Sequence, residues 1–498
     1  MMRKFVRIIS LVITLFLTLS CLGGCSKKGS SKATTRYTSS TANVKRMNST
    51  TRPSTTIVKN TQQKNQTNVQ QSTMKEQPTS KSKDGGNVEE IEVHPSAEPV
   101  NINMTDRFNF QSNWDKSYFN DSILINASNS FGLDVFRTAA AENADKNVII
   151  SPLSMFTAFS LLINGAGGDT KNQMKSAMHI DSFNDADLNT RMNNLMSYLM
   201  KYHSNGKNGF KRIYNSVWIN HNVNIKDSFT EISKKYYNSD IYKVNFYNKG
   251  VINDMNNWIA ERSGGLIQNV IDELDPVTLM VLFNVLHFKG KWHKDFDKSK
   301  TQIEPFYLRD GTPINVNMMN DERLMSFYED ERVQVGELTF NNDANLLIIL
   351  PKIDIDEFTA SINADMINTY LDNLKIARVK LKVPSFDIEY RSFMKKILKD
   401  VGMNLPFDLQ NADFSGISGE GIKFCVGEVL HDCVVKVNEE GAEAAALTVI
   451  FGPAAAPPGT VAPIEDKVLY VDKPFIFAIS DRSSESILFI GKVMDPRQ

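Results

Sequence analysis

Residues 437–463 read VNEEGAEAAALTVIFGPAAAPPGTVAP. The stretch leaves a β-strand pattern at Val437, turns at Gly441, and runs on through alanine, glycine and proline with one early charge, Glu443. A loop of this length without structure of its own is uncommon in a compact domain, and is usually either functional or disordered. Period-two alternation sorts its first half into two faces. Ala442, Ala444, Ala446 and Thr448 share one face, all small and uncharged, and are expected to point inward. Glu443, Ala445, Leu447 and Val449 share the other, expected to meet solvent. A segment patterned in this way is stable both in water and inside a sheet. Gly441 supplies a pivot, because glycine tolerates backbone angles that other residues avoid.

The whole chain sets few further limits. Its 498 residues are 41% hydrophobic and 23% charged, with a formal net charge of −1. Those values are ordinary for a soluble globular protein, and the near-neutral charge gives no electrostatic reason to expect nucleic acid as a partner. Met1–Arg7 is basic and Ile8–Leu22 is apolar, the layout of a secretory signal and short for a membrane span. The run ends Leu22-Gly23-Gly24-Cys25, and small residues before a cysteine resemble a bacterial lipobox. Cys25 is therefore the expected lipidation site, placing the protein on the extracellular face of a bacterial cell membrane; an ordinary cleaved signal would leave it secreted. Of the four cysteines, Cys425 and Cys433 remain in the body, and they read as buried small hydrophobes. Seven scattered histidines offer no metal site and no cofactor is expected.

Residues 1–25 are thus the lipoprotein signal peptide and residues 26–120 a Ser/Thr/Asn/Gln-rich tether. Between Ser26 and Asp84 there are twelve Lys and Arg against two acids, with sparse apolar residues. Such a segment cannot offset its ordering entropy and is expected to be disordered, with a coil dimension of roughly 40–50 Å. Residues 121–498 read as one body. Ser151–Ile163 is apolar nearly all round, marking a buried helix. Leu279–Phe288 is a short continuous apolar run, the mark of a central strand covered on both faces.

Two motifs resemble chemistry without supporting it. Gly165–Lys171 (GAGGDTK) lacks the spacing of a phosphate loop and follows a helix; its glycines stop that helix, and Thr170 with Gln173 reads as a capping box for the next. Gly416–Gly421 (GISGEG) misses the nucleophile-elbow spacing by one residue. No nucleophile–base constellation appears, so the chain does not read as an enzyme.

A series of collinear segments resembles the serpin family of protease inhibitors: Asn147–Ser154 (NVIISPLS), Asn164–Gly167, Asn215–Ile219 (NSVWI), Asn257-Trp258, and Asn284–Trp292 (NVLHFKGKW). Val383–Phe386, Asn438–Ala446, Lys473–Phe475 and Leu488–Val493 continue it, covering about 121–498. The resemblance implies an α+β fold with three β-sheets, about eight to nine helices and an exposed reactive-centre loop at about 438–467. It implies a suicide-substrate inhibitor: a protease attacks the loop, forms an acyl-enzyme, and is trapped as the cut loop threads into the main sheet. The hinge would be Glu439, Glu440, Gly441, Ala442, Glu443, Ala444, Ala445, Ala446, Leu447 and Thr448. Ser151, Ser154, Asn284 and His431 would form the shutter under the opening sheet, and Trp292 the breach where insertion begins.

Counting seventeen residues from Glu439 puts the scissile bond at Ala455–Ala456, which suits serine proteases of elastase or subtilisin type with small apolar primary pockets. The sixteen residues from Ala456 to Val471 are more than the family pattern expects, so Ala454, Val461 and Ala462 stay open. A cysteine protease is a second class of target. The expected protein is a monomer, bound to membrane only through its lipid. The alternative is a non-inhibitory serpin acting as a cell-surface binding or chaperone-like protein; a charged or bulky inward hinge residue would favour it, and none is present.

Overall fold

In a computed structural model the chain divides into Met1–Glu89 and Glu90–Gln498. The structure describes residues 97–99, 121–202, 209–274, 280–419, 423, 425–442 and 464–497, all in the second unit. In chain order the elements are β1 (Ala97–Pro99), α1 (Ser122–Glu142), β2 (Val148–Ile150), α2 (Pro152–Ile163), α3 (Gly168–Ala177), α4 (Asp185–Tyr202), β3 (Gly209–Asn220), α5 (Asp227–Ile232), β4 (Asp240–Val244), α6 (Gly250–Arg262), β5 (Met280–Lys291), β6 (Gln302–Tyr307) and β7 (Pro313–Glu329). They continue as β8 (Val333–Thr339), β9 (Ala344–Pro351), α7 (Ile355–Ser361), α8 (Ala364–Asn373), β10 (Lys375–Pro384), β11 (Phe386–Phe393), α9 (Lys395–Asp400), β12 (Glu428–Val437), β13 (Gly441–Ala442), β14 (Asp466–Tyr470), β15 (Phe475–Asp481) and β16 (Ile487–Val493).

The first sheet runs β1-β4-β3-β5-β12-β11, with β13 on β5. The second runs β14-β10-β7-β8-β9-β15-β16-β2, with β6 on β7. The expected second and third sheets are lobes of this one, joined because the 17-residue β7 pairs with β6 along its first part, with β10 from Met318 to Phe327 and with β8 at its end. Nine α-helices lie among the described residues.

The buried helix expected at Ser151–Ile163 is α2, and all twelve of its residues are buried. Pro152 opens it, where a fixed φ and a missing N–H cost nothing. It lies in the main core with Phe131 and Phe136 of α1 and the inner faces of β15 and β16. The strand expected at Leu279–Phe288 is β5, and its two faces serve different cores. Met280, Leu282, Leu286 and Phe288 enter the main core. Val281, Phe283 and Val285 join a second cluster with Trp258 and Ile259 of α6. A near-continuous apolar run is what a strand covered on both sides requires.

Two expectations are corrected. Thr170 and Gln173 do not cap a helix: α3 starts after Gly167 with no side-chain cap. The Thr170 hydroxyl accepts from Asp413 N and the Gln173 carboxamide from Leu405 N, so tertiary partners displace the local motif. Ala97–Pro99, inside the segment expected to lack structure, pairs antiparallel with β4, from Ala97 opposite Val244 to Pro99 opposite Tyr242.

The two sheets are pinned by a buried ion pair. Lys211 of β3 donates to Asp481 Oδ2 at 2.5 Å and to Asp343 O at 2.9 Å, and both pair members are almost fully buried. Asp481 also accepts from Ser484 N and Oγ. Burial pushes the Lys211 ammonium below its ordinary pKa against the pull of Asp481. Removing one member of such a pair leaves an uncompensated charge. Asp481→Asn is expected to destabilise the intact form by about 3 kcal/mol, read as a lower midpoint in urea unfolding.

Candidate functional site

Strands β5 and β12 run parallel but pair only at their lower ends, from Val281 opposite Glu428 to Asn284 opposite His431. Above that level β5 stays bonded to β3 as far as Gly290, and β12 to β11 as far as Val437. Their upper halves therefore face each other without a ladder. A slot of about 10 Å³ remains there, with Phe288 on one wall and Val434, Val435 and Lys436 on the other. Ala442 closes its top.

The chain reaches this position through a tight reversal. Asn438 N donates to Gly441 O at 2.9 Å and Gly441 N to Asn438 O at 3.3 Å, leaving Glu439 and Glu440 at the tip. Gly441 then lies antiparallel on β5 opposite Lys291, and Ala442 opposite Gly290. Gly441 has φ +143°, and a Cβ there would stand 2.2 Å from Gly290 O, so only glycine passes. Ala442 is buried in the main core, the inward face that its alternation assigned.

A clasp holds the reversal. Trp292 Nε1 donates to Asn438 O at 2.8 Å. Trp292 N donates to Glu440 O at 3.1 Å and Phe296 N to Glu439 O at 2.9 Å. Thr301 Oγ1 donates to Glu439 Oε1 at 2.7 Å, and Lys298 Nζ to Glu440 Oε1 at 2.5 Å. Hydrogen bonding to Lys298 holds the Glu440 carboxyl below the usual carboxylate range. Because that pair is exposed, it orients more than it stabilises. The Trp292 ring stacks on Phe340, centroids 4.2 Å apart and nearly parallel.

Below the slot lies His431, fully enclosed. Its Nε2 accepts from Ser151 N at 3.1 Å, so the ring proton sits on Nδ1, and Cys433 Sγ is 3.2 Å from the same Nε2. Nδ1 and the Ser151 hydroxyl have no hydrogen-bond partner among the described residues. Desolvation lowers the His431 pKa to about 4. Next to it, desolvation raises the Asp432 pKa to about 6 against the pull of Arg391, whose Nε lies 2.9 Å away.

A family model described as serpin (serine protease inhibitor) matches residues 126–496. The chain belongs to the serpin family. Serine protease inhibitor A6 of Xenopus laevis is 31% identical to it over 383 residues, 76% of this chain and 84% of that one. Intracellular coagulation inhibitor 2 of Tachypleus tridentatus is 30% identical over 395 residues, 76% and 92% of the two chains. The thermophilic serpin tengpin, solved in its native state, superposes with a TM-score of 0.68 at 28% identity, over 76% of this chain and 95% of its own.

Of the serpin residues read from sequence, the structure gathers Ser151, His431 and the backbone of Asn284 under the slot and Trp292, Glu439, Glu440, Gly441 and Ala442 at its mouth, and buries Ser154 in α2. Cys433 is buried and Cys425 half-buried. The side chain of Asn284, together with Cys25, Glu443, Ala444, Ala445, Ala446, Leu447, Thr448, Ala455 and Ala456, lies outside the described residues. Sequence reasoning missed Phe296, Lys298, Thr301 and Phe340, all of the clasp; none carries a local signal, since each acts on a partner more than ninety residues away or through ring stacking.

His431 is neutral in the fold down to about pH 4, whereas an unfolded imidazole protonates near pH 6.5. The unfolded state thus binds the extra proton between those values, and stability falls as pH falls through that window. Asp432, with a raised pKa, acts in the opposite sense. His431→Gln removes only the first effect. Relative to the parent, it should gain up to about 3 kcal/mol between pH 6.5 and pH 4, measured as the change in denaturation midpoint with pH.

Proposed function

We propose that this serpin is a suicide-substrate inhibitor of serine proteases with small apolar primary specificity. The observation that carries it is the docked start of an insertion strand: Gly441 and Ala442 already pair on β5 above an unpaired slot. Continuing both registers residue by residue brings Ala444 between Phe288 and Val435, Ala446 between Leu286 and Cys433, and Thr448 between Asn284 and His431. Small side chains suit the first two seats, flanked by bulkier neighbours. A hydroxyl at the third offers a partner to the His431 Nδ1 proton, which has none among the described residues, worth about 1–3 kcal/mol for a buried donor.

Carried on, the same register would bring Leu447 and Val449, expected to meet solvent, beside Val285 and Phe283 of the apolar cluster under α6. Leu447 then buries its bulk, and its size supports insertion instead of counting against it.

Chemically, the protease serine attacks the carbonyl of Ala455. The bond to Ala456 breaks, its amine departs, and the protease is left esterified. Insertion from Thr448 onward must part the four lower pairs between β5 and β12, and in return forms a ladder on each side of the new strand. A dozen such bonds at roughly 0.5–1.5 kcal/mol net each give about 10 kcal/mol, comparable with the stability of a whole domain. The intact form is accordingly held by a kinetic barrier. Cys25 lipidation would present the inhibitor outside the cell membrane, and a cysteine protease that attacks the same bond would form the analogous thioester.

Incubation with an elastase-like and a subtilisin-like protease is expected to give a complex that survives boiling in SDS, and the cut form should melt well above the intact one. Ala444→Arg places a charge in an apolar seat at a cost of several kcal/mol. It should raise the moles of inhibitor consumed per protease by at least about tenfold. Cleavage without a complex and without a rise in melting temperature would overturn the reading.

A further inference from the structure

On the outer face of the slot the two walls carry like charges. Lys289 of β5 and Lys436 of β12 are both half-buried. The parallel register that pairs Val281 with Glu428 and Asn284 with His431 would, if extended, set Lys289 directly opposite Lys436. Zipping the gap shut would therefore press two ammonium groups together, and like charges directly opposite destabilise a strand pair. Lys436 is held aside at 2.6 Å from Asp387 Oδ2 on β11.

The loop brings the complementary charge to that level. Gly441 and Ala442 fix the antiparallel register on β5, and the Asn438–Gly441 bridge fixes the reversal from β12. The next residue, Glu443, is the only charged one between Gly441 and Pro463. Continued by one residue, both registers would bring it to the same place, opposite Lys289 on one side and Lys436 on the other. Alternation also agrees: Phe288, Val435 and Ala442 face the main core, so Lys289 and Lys436 share the outer face, and a strand continued past Ala442 would turn Glu443 to it.

We propose that Lys289 and Lys436 form a split cationic seat that keeps the upper gap from closing and receives the Glu443 carboxylate as the first charge of the inserting loop. This rests on the loop-insertion reading and adds an electrostatic register lock to it. An inserted strand displaced by one residue would turn the carboxylate into the main core, where an unpaired charge is costly. The seat thus favours the frame that puts the small residues inside.

Annealing of a free peptide tests the seat without any protease. Peptides spanning residues 442–454, one natural and one carrying Glu443→Lys, are mixed with the intact protein and with the Lys289→Glu/Lys436→Glu variant, and incorporation is followed by native gel and melting temperature. The natural peptide should enter the parent about two- to fivefold faster than the Lys peptide, the order should reverse in the variant, and the preference should shrink at high salt. The comparison of the two peptides on the parent stands even if the variant folds poorly. Annealing at equal rates sinks the seat and leaves insertion standing. Failure of both peptides to anneal to the parent sinks insertion, and the seat with it.

Discussion

The fold depends on one incomplete strand pair. Strands β5 and β12 share a ladder at only four residue pairs, then run side by side with their upper backbones unjoined. The upper N–H and C=O groups of the two strands do not pair with each other, and such groups are expensive when buried without partners. The chain does not leave it wholly open. It folds back at Gly441, lays two residues against β5, and fastens the turn with the Trp292 indole and the Glu439 and Glu440 contacts.

Buried polar groups are served unevenly across the molecule. Along the gap, the His431 Nδ1, Ser151 hydroxyl and one Asp432 oxygen are buried without partners among the described residues. Native proteins keep such atoms rare; others lie away from the gap, as at Arg323 and Asn345 of the second sheet. Two buried lysines are better supplied. Lys211 meets Asp481 and a carbonyl, and Lys492 meets Asp356 and the carbonyls of Asn143 and Ala144 at the end of α1.

Much of this was legible in the chain itself, and what was not has a common cause. The buried α2, the two-faced β5 and the inward position of Ala442 follow from periodicity, which reads a residue's own neighbours. The family resemblance singled out His431, Trp292, Glu439, Glu440 and Gly441, which the structure sets along and above the gap between β5 and β12. The capping box at Thr170 failed because both its side chains were claimed by segments more than two hundred residues away. The clasp residues Lys298 and Thr301, and the opposition of Lys289 to Lys436, arise only once strands distant in sequence are brought into register. Local pattern specifies which face a residue occupies; it does not specify what stands across from it.

The short strand β1 has a consequence at the rim of the first sheet. A sheet whose architecture admits an additional strand is also exposed to strands from other molecules, which could stack along its border and build fibrils. Ala97–Pro99 occupies the border along β4. Proline has no amide hydrogen to offer a newcomer, so residue 99 blunts that border against intermolecular growth. The opposite border, β11, has no such guard among the described residues. Any head-to-tail association of crowded copies would accordingly be one-sided.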